Sequence, residues 1–162
     1  MNQLLSTTKH KMHTLAPFKI IGIAARTSNT SGKAAEVLGA LWRRFFEEQI
    51  GDKIEGKISD DIYAIYTDYE SDYKGEYTCL IGYQVENEGN ITEGLVSKKF
   101  HGGKHAKFVA KGKMPDAVVN CWQEIWAKDS DLDREYTADF EVYGSQSQQG
   151  ANSSVDIFIA VK

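Results

Sequence analysis

The chain has 162 residues and a formal net charge of −4, with 41% of its residues hydrophobic and 26% charged. That length fits one globular domain, or two small modules sharing a core. The acidic balance lacks the basic field that nucleic-acid binding requires, no apolar run approaches the ~18 residues that span a bilayer, and the polar start lacks the apolar core of a secretion signal. The sequence therefore predicts a cytoplasmic protein whose partner is a neutral or cationic small molecule rather than DNA or a membrane.

Residues 1–17 are polar, non-periodic and closed by Pro17, which predicts a mobile tail before a single domain over 18–162. FKIIGIAARTS, from Phe18, is Ile-rich and bounded by a Ser/Asn/Thr/Gly cluster, as a strand is. SGKAAEVLGALWRRFFEEQI then spaces Val37, Leu38, Leu41, Trp42, Phe45 and Phe46 along one face of a helix. DIYAIYTDYE and GEYTCLIGYQV are β-branched and aromatic runs joined by a short turn, which predicts a hairpin.

The second half repeats the order. KHAKFVAKG reads as a strand, Pro115 suits the first turn of a helix in MPDAVVNCWQEIWAKD, and REYTADFEVYG and SVDIFIAVK read as two strands joined by a polar loop. Strand, helix, strand, strand thus occurs twice, over modules of about 18–95 and 104–162. Trp42 matches Trp122 and Phe46 matches Trp126, while the Asp68–Glu70 triplet DYE matches DFE at Asp139–Glu141. The predicted fold class is α+β, a duplicated module in a pseudo-two-fold antiparallel sheet, with two main helices flanking a groove.

Candidate chemistry is sparse. Cys79 and Cys121 are the only cysteines, without CxxC spacing, and read as reduced, buried, small residues. His101 and His105 stand four apart in FHGGKH, but Gly102 and Gly103 break any helix, so no metal site is expected. No phosphate cradle and no nucleophile–histidine set stands out, and no cofactor is expected. Alternation along YTADFEVY puts Tyr136, Ala138, Phe140 and Val142 on one face and Thr137, Asp139, Glu141 and Tyr143 on the other. The first face reads as core. The second reads either as a solvated sheet surface, the commoner case for antiparallel sheets, or as the floor of a groove walled by helix aromatics.

The stretches LWRRF, YAIYTDYESDYKGEYTCLIGYQV, CWQEIW and DFEVY, in that order, resemble the GyrI-like family of small-molecule effector-binding domains, also found attached to AraC-type and MerR-type transcription regulators. The resemblance runs from Phe18 to Val161. It implies two strand-helix-strand-strand (SHS2) modules with a ligand groove between them, and multidrug-type binding of bulky, lipophilic, often cationic compounds. It places the family's central acidic residue on Glu141 and its helix tryptophans on Trp42 and Trp122; periodicity and repeat matching add Tyr66, Trp126 and Tyr143. His105 stands where relatives carry an aromatic residue, which bears on the groove lining. Only about seventeen residues precede the first predicted strand, too few for a helix-turn-helix, so no direct DNA contact by this chain is expected.

Three functions follow as expectations. The first is a stand-alone protein that senses or sequesters lipophilic cations, with a buried Glu141 as charge partner and a separate protein partner downstream. The second is a hydrolase of strained electrophiles, with Glu141 activating water and Tyr143 or Tyr66 donating a proton. The third is a protein-binding inhibitor of gyrase-inhibitor type, for which the acidic loop ENEGNITEG at 86–94 is the visible contact surface.

Overall fold

The structure is a computed structural model that describes residues 10–87, 89 and 91–162. Its strands are β1 (His10–Leu15), β2 (Phe18–Ser28), β3 (Lys57–Thr67), β4 (Glu76–Val85), β5 (Val96–Phe100), β6 (Gly103–Lys111), β7 (Ala138–Tyr143) and β8 (Ser154–Ala160). They form one sheet in the order β1-β6-β8-β7-β3-β4-β2-β5, with every neighbouring pair antiparallel. Two main helices, α1 (Ala34–Glu47) and α2 (Asp116–Ala127), complete the α+β fold, with a single turn α3 (Asp129–Leu132) after α2.

The strand order is palindromic when β1 is matched with β5, β2 with β6, β3 with β7 and β4 with β8. Each half sends its first strand across to the other: β1 pairs with β6, and β5 pairs with β2. The repeat therefore begins at His10, and the tail expected over residues 1–17 is a strand from His10 to Leu15. Edge strands explain why both β1 and β5 escape a reading by apolar content. One side of such a strand faces water, so HKMHTL and VSKKF carry lysines and histidines, and Met12 is 51% exposed.

The helices follow their patterns. In α1, Leu41 and Phe45 are buried; in α2, Cys121 and Ile125 occupy the same places eighty residues on. The pairing of Trp42 with Trp122 has the same offset, so the helix repeat holds at the level of packing. Phe46, expected on the apolar face, is instead 56% exposed, with its ring stacked on Trp42 at 5.9 Å. Gln49, in the left-handed region at φ 50°, ends α1, and Asp116 places a carboxylate at the positive end of α2.

Both faces of the sheet carry buried apolar clusters. On the helix side, Ile21, Ile23, Ala64, Cys79 and Ile81 pack under α1, and Phe108, Val155, Ile157 and Ile159 under α2. On the other side Ile20, Ile65, Leu80, Phe100 and Phe140 form a third cluster. Phe18 on β2 and Phe140 on β7 are three strand steps apart, about 14 Å on a flat sheet, yet their ring centroids lie 5.3 Å apart. The sheet is therefore curved, concave toward this cluster. Gly22 faces Gly82 across β2 and β4, and a Cβ on Gly22 would lie 1.9 Å from the Ile81 carbonyl oxygen. The strands approach there as no side chain would allow.

Candidate functional site

Curvature leaves a seam between α1 and α2 on the helix side, and the centre of β7 lies beneath it. Tertiary packing decides what the alternation left open: Asp139 and Glu141 point toward the helices and are 0% and 2% exposed. The face is a groove floor, not a wet surface. Tyr136 is not part of the strand; it precedes β7 with φ 56°, and its hydroxyl donates to Asp129.

Glu141 pairs across β3 with Ala64, whose small side chain leaves room above the carboxylate. Three neutral donors fill that room: Tyr66 Oη donates to Oε2 at 2.9 Å, Trp122 Nε1 to Oε2 at 2.7 Å, and Tyr143 Oη to Oε1 at 2.6 Å. Among the described residues no Lys, Arg or His forms an ion pair with it. Burial raises the Glu141 pKa above its ordinary value, and the three hydrogen bonds pull it back only in part. Burial, and then the carboxylate itself, push the Tyr66 and Tyr143 phenols well up, so both remain donors.

Asp139 presents the opposite case. Arg134 Nη2 donates to its Oδ2 at 2.7 Å, Tyr69 Oη donates to the same oxygen at 2.6 Å, and the Ala160 amide donates to Oδ1 at 2.8 Å. Burial alone would lower the Arg134 pKa, but Asp139 with Tyr69 and Tyr136 together more than offset it, and the guanidinium stays charged. Arg134 also reaches Asp129 at 3.1 Å and lies over the Tyr136 ring. One buried carboxylate is thus neutralised in place while its neighbour on the same face is not.

A cavity of about 190 Å³ opens above Glu141. Its aromatic walls are Tyr66, Tyr69, Tyr73, Tyr77, Trp122 and Trp126, its aliphatic ones Leu38, Val118 and Val119, and its polar groups Asn29, Arg134 and Glu141. Tyr73 and Trp126 stack nearly parallel, at 5.7 Å and 11°. The Trp122 ring stands edge-on to Tyr66 at 5.5 Å.

Of the six residues singled out by sequence, Glu141, Tyr66, Trp122 and Trp126 line this cavity. Tyr143 and Trp42 do not: Tyr143 holds Oε1 of Glu141, and Trp42 meets the Tyr143 ring edge-on at 5.1 Å. Sequence reasoning missed Tyr69, Tyr73 and Tyr77. Spaced four apart in YESDYKGEY, Tyr69 and Tyr73 come from the turn between β3 and β4, where strand periodicity no longer says which way a side chain points, and Tyr77 is the second residue of β4. Arg134 was missed because it precedes β7.

The DYE–DFE match does not survive. β3 ends at Thr67, Glu70 is exposed and its Oε1 takes the Glu76 amide at 3.3 Å, and register sets Glu141 against Ala64 instead. His105 lies on the concave face, edge-on to Phe140 at 5.6 Å, and has no part in this cavity. Among the described residues no group of three or more His, Cys, Asp or Glu is arranged to hold a metal, and no helix is long and apolar enough to cross a membrane. In the loop at 86–94, Glu88 and Asn90 lie outside the described residues.

Comparison with known proteins places this geometry. YobU of Bacillus subtilis (strain 168) is 26% identical over 147 residues, covering 89% of this chain and 92% of that protein. The integron cassette protein VCH_CASS2, from the mobile metagenome of Vibrio cholerae, superimposes with a TM-score of 0.72 at 28% identity, over 97% of this chain and 100% of its own. SAV2435, solved bound to tetraphenylphosphonium, superimposes at 0.78 with 21% identity over 95% and 94% of the two chains, a likeness of fold. The architecture is that of GyrI-like effector-binding domains. Residues 11–161 match Cass2, the integron-associated effector binding protein family, and the chain belongs to that family.

Proposed function

We propose that this protein binds lipophilic organic cations in the cavity above Glu141, and serves to sense or sequester them. The carrying observation is the contrast inside the cavity: Glu141 is buried, bonded by three neutral donors and paired with no cation, under walls of tyrosine and tryptophan. A delocalised cation would supply the missing charge, and its rings would meet aromatic faces at about 0.5–2 kcal/mol each. Each apolar Å² removed from water adds about 25 cal/mol, which favours ring-bearing compounds over small amines. Both Glu141 oxygens already accept bonds, so charge without hydrogen-bonding demands suits the site best. Membership of an effector-binding family and a fold shared with a protein solved with tetraphenylphosphonium support the same reading.

The hydrolase alternative needs Glu141 to hold a water and a tyrosine to face the substrate. Here Tyr66 and Tyr143 both spend their protons on Glu141 itself, which supports binding over turnover. The test is a tryptophan-fluorescence titration with tetraphenylphosphonium and with neutral triphenylphosphine oxide. The wild type should prefer the cation, and Glu141→Gln should weaken it at least about tenfold. Equal affinity of the two proteins for the cation would overturn the reading.

A further inference from the structure

The aromatic walls of the cavity above Glu141 differ in how they are held. Tyr66 and Trp122 are bonded to Glu141, Tyr69 Oη donates to Asp139 at 2.6 Å, and Tyr77 Oη donates to Asn29 Oδ1 at 2.8 Å. The Tyr73 hydroxyl forms no hydrogen bond among the described residues. Its ring is half-buried and rests on Trp126 in the parallel stack.

What fixes Tyr73 is its backbone. From the segment between β2 and α1, Asn29 Nδ2 donates to the Tyr73 carbonyl oxygen at 3.2 Å and Thr30 Oγ1 to the Lys74 carbonyl oxygen at 2.9 Å. That segment is itself closed by Ser31, whose amide donates to Ser28 Oγ at 3.1 Å and whose hydroxyl donates to the Ser28 carbonyl oxygen at 2.9 Å. Two adjacent side chains of one anchored loop thus clamp two adjacent carbonyls of the turn. Asn29 lines the cavity, whereas Thr30 is exposed and does not.

Size gives the clamp a consequence. An apolar cavity of about 150 Å³ holds benzene, so the 190 Å³ above Glu141 encloses little more than one ring. The other rings of a bulky cation must lie toward the rim. There Tyr73 and Trp126 are half-buried, and Val119, two turns before Trp126 on α2, is 50% exposed.

We infer that Asn29 and Thr30 are positioning residues that set a preference for multi-ring cations: they hold Tyr73 against Trp126 as a preformed aromatic ledge for the rings that the enclosed space cannot take. This rests on the cation reading above. A ledge already in place costs a ligand little to occupy, while an unclamped Tyr73 must be ordered on binding.

The test uses the full chain, with calorimetry of tetraphenylphosphonium and of one-ring benzyltrimethylammonium, and the Trp126 indole NMR signal of the free protein. Thr30→Val is nearly isosteric and removes one clamp bond away from the ligand. It should weaken tetraphenylphosphonium about threefold, leave benzyltrimethylammonium unchanged, and shift the Trp126 indole as the Tyr73 ring moves. Thr30→Ser should restore all three values. In a Tyr73→Ala background Thr30→Val should cost no further affinity, because its effect passes through that ring. With the wild type binding, equal weakening of both cations, additive losses or an unmoved indole would each overturn the inference alone. Failure of the wild type to bind either cation would overturn the cation reading, and this inference with it.

Discussion

Asp139 and Glu141 stand two residues apart on one face of one strand, both buried, yet only Asp139 has a cationic partner, with Arg134 at 2.7 Å. Their removal should therefore have opposite consequences for stability. Arg134→Met leaves Asp139 as an uncompensated buried charge, which costs about 3–5 kcal/mol. Glu141→Gln removes a desolvated charge, and a carbonyl placed at Oε2 keeps the bonds from Tyr66 and Trp122 while Tyr143 loses its acceptor. These effects oppose each other, and the net change should stay within about 1 kcal/mol. Urea unfolding of both variants at neutral pH measures the contrast. A loss of similar size in each would mean that Glu141 is a structural linchpin.

The raised pKa of Glu141 sets a pH dependence for both binding and folding. A permanently charged cation favours the ionised carboxylate, so tetraphenylphosphonium should bind more weakly as pH falls through the folded-state pKa, which lies above the ordinary 4.5. Binding lowers that pKa again and should release a proton, seen as a buffer-dependent heat in calorimetry. For folding the sign follows from a carboxyl whose folded pKa exceeds its unfolded one. It costs stability above the folded value, and that cost is relieved as pH drops toward the unfolded value. The Glu141→Gln protein should lack this contribution to both pH profiles.

The two matched helix tryptophans should differ in importance. Trp122 lines the cavity and gives Glu141 a 2.7 Å bond, whereas Trp42 acts only through the edge of Tyr143. Trp122→Phe loses a hydrogen bond to a charged acceptor, about 1.5–3 kcal/mol, and should weaken cation binding by more than about tenfold. Trp42→Phe should weaken it by less than about threefold, in line with one aromatic edge contact. Equal losses would mean that the ligand reaches further along α1 than the cavity does.

How much of this was legible in the sequence depended on how each residue is held. Helix periodicity located α1 and α2 and paired Trp42 with Trp122, because a 3.6-residue period survives in side chains that pack on one face. Strand alternation put Glu141 and Phe140 on opposite faces, but one sequence could not say whether the Glu141 face met water or helices. That depends on where α2 docks. β1 and β5 were invisible because edge strands need few apolar residues, Tyr69 and Tyr73 because a turn has no period, and Tyr77, in β4, because alternation alone does not say which face the helices cover. The DYE match failed for a related reason: register across β3 and β7, rather than identity along the chain, decides which residues share a site.

Gly22 and Gly82 allow the close approach of β2 and β4, and substitution there should be costly although neither lines the cavity above Glu141. A Cβ on Gly22 would meet the Ile81 carbonyl oxygen at 1.9 Å, and one on Gly82 the Ile21 carbonyl oxygen at 2.1 Å. Both obstacles are backbone, so β2 and β4 must separate rather than a side chain turn aside. Each alanine variant should lose about 3 kcal/mol or more. The double variant should lose less than the sum, since one separation of the strands relieves both contacts. Thermal unfolding of the three proteins checks this. Strict additivity would show that the strands yield independently at the two positions.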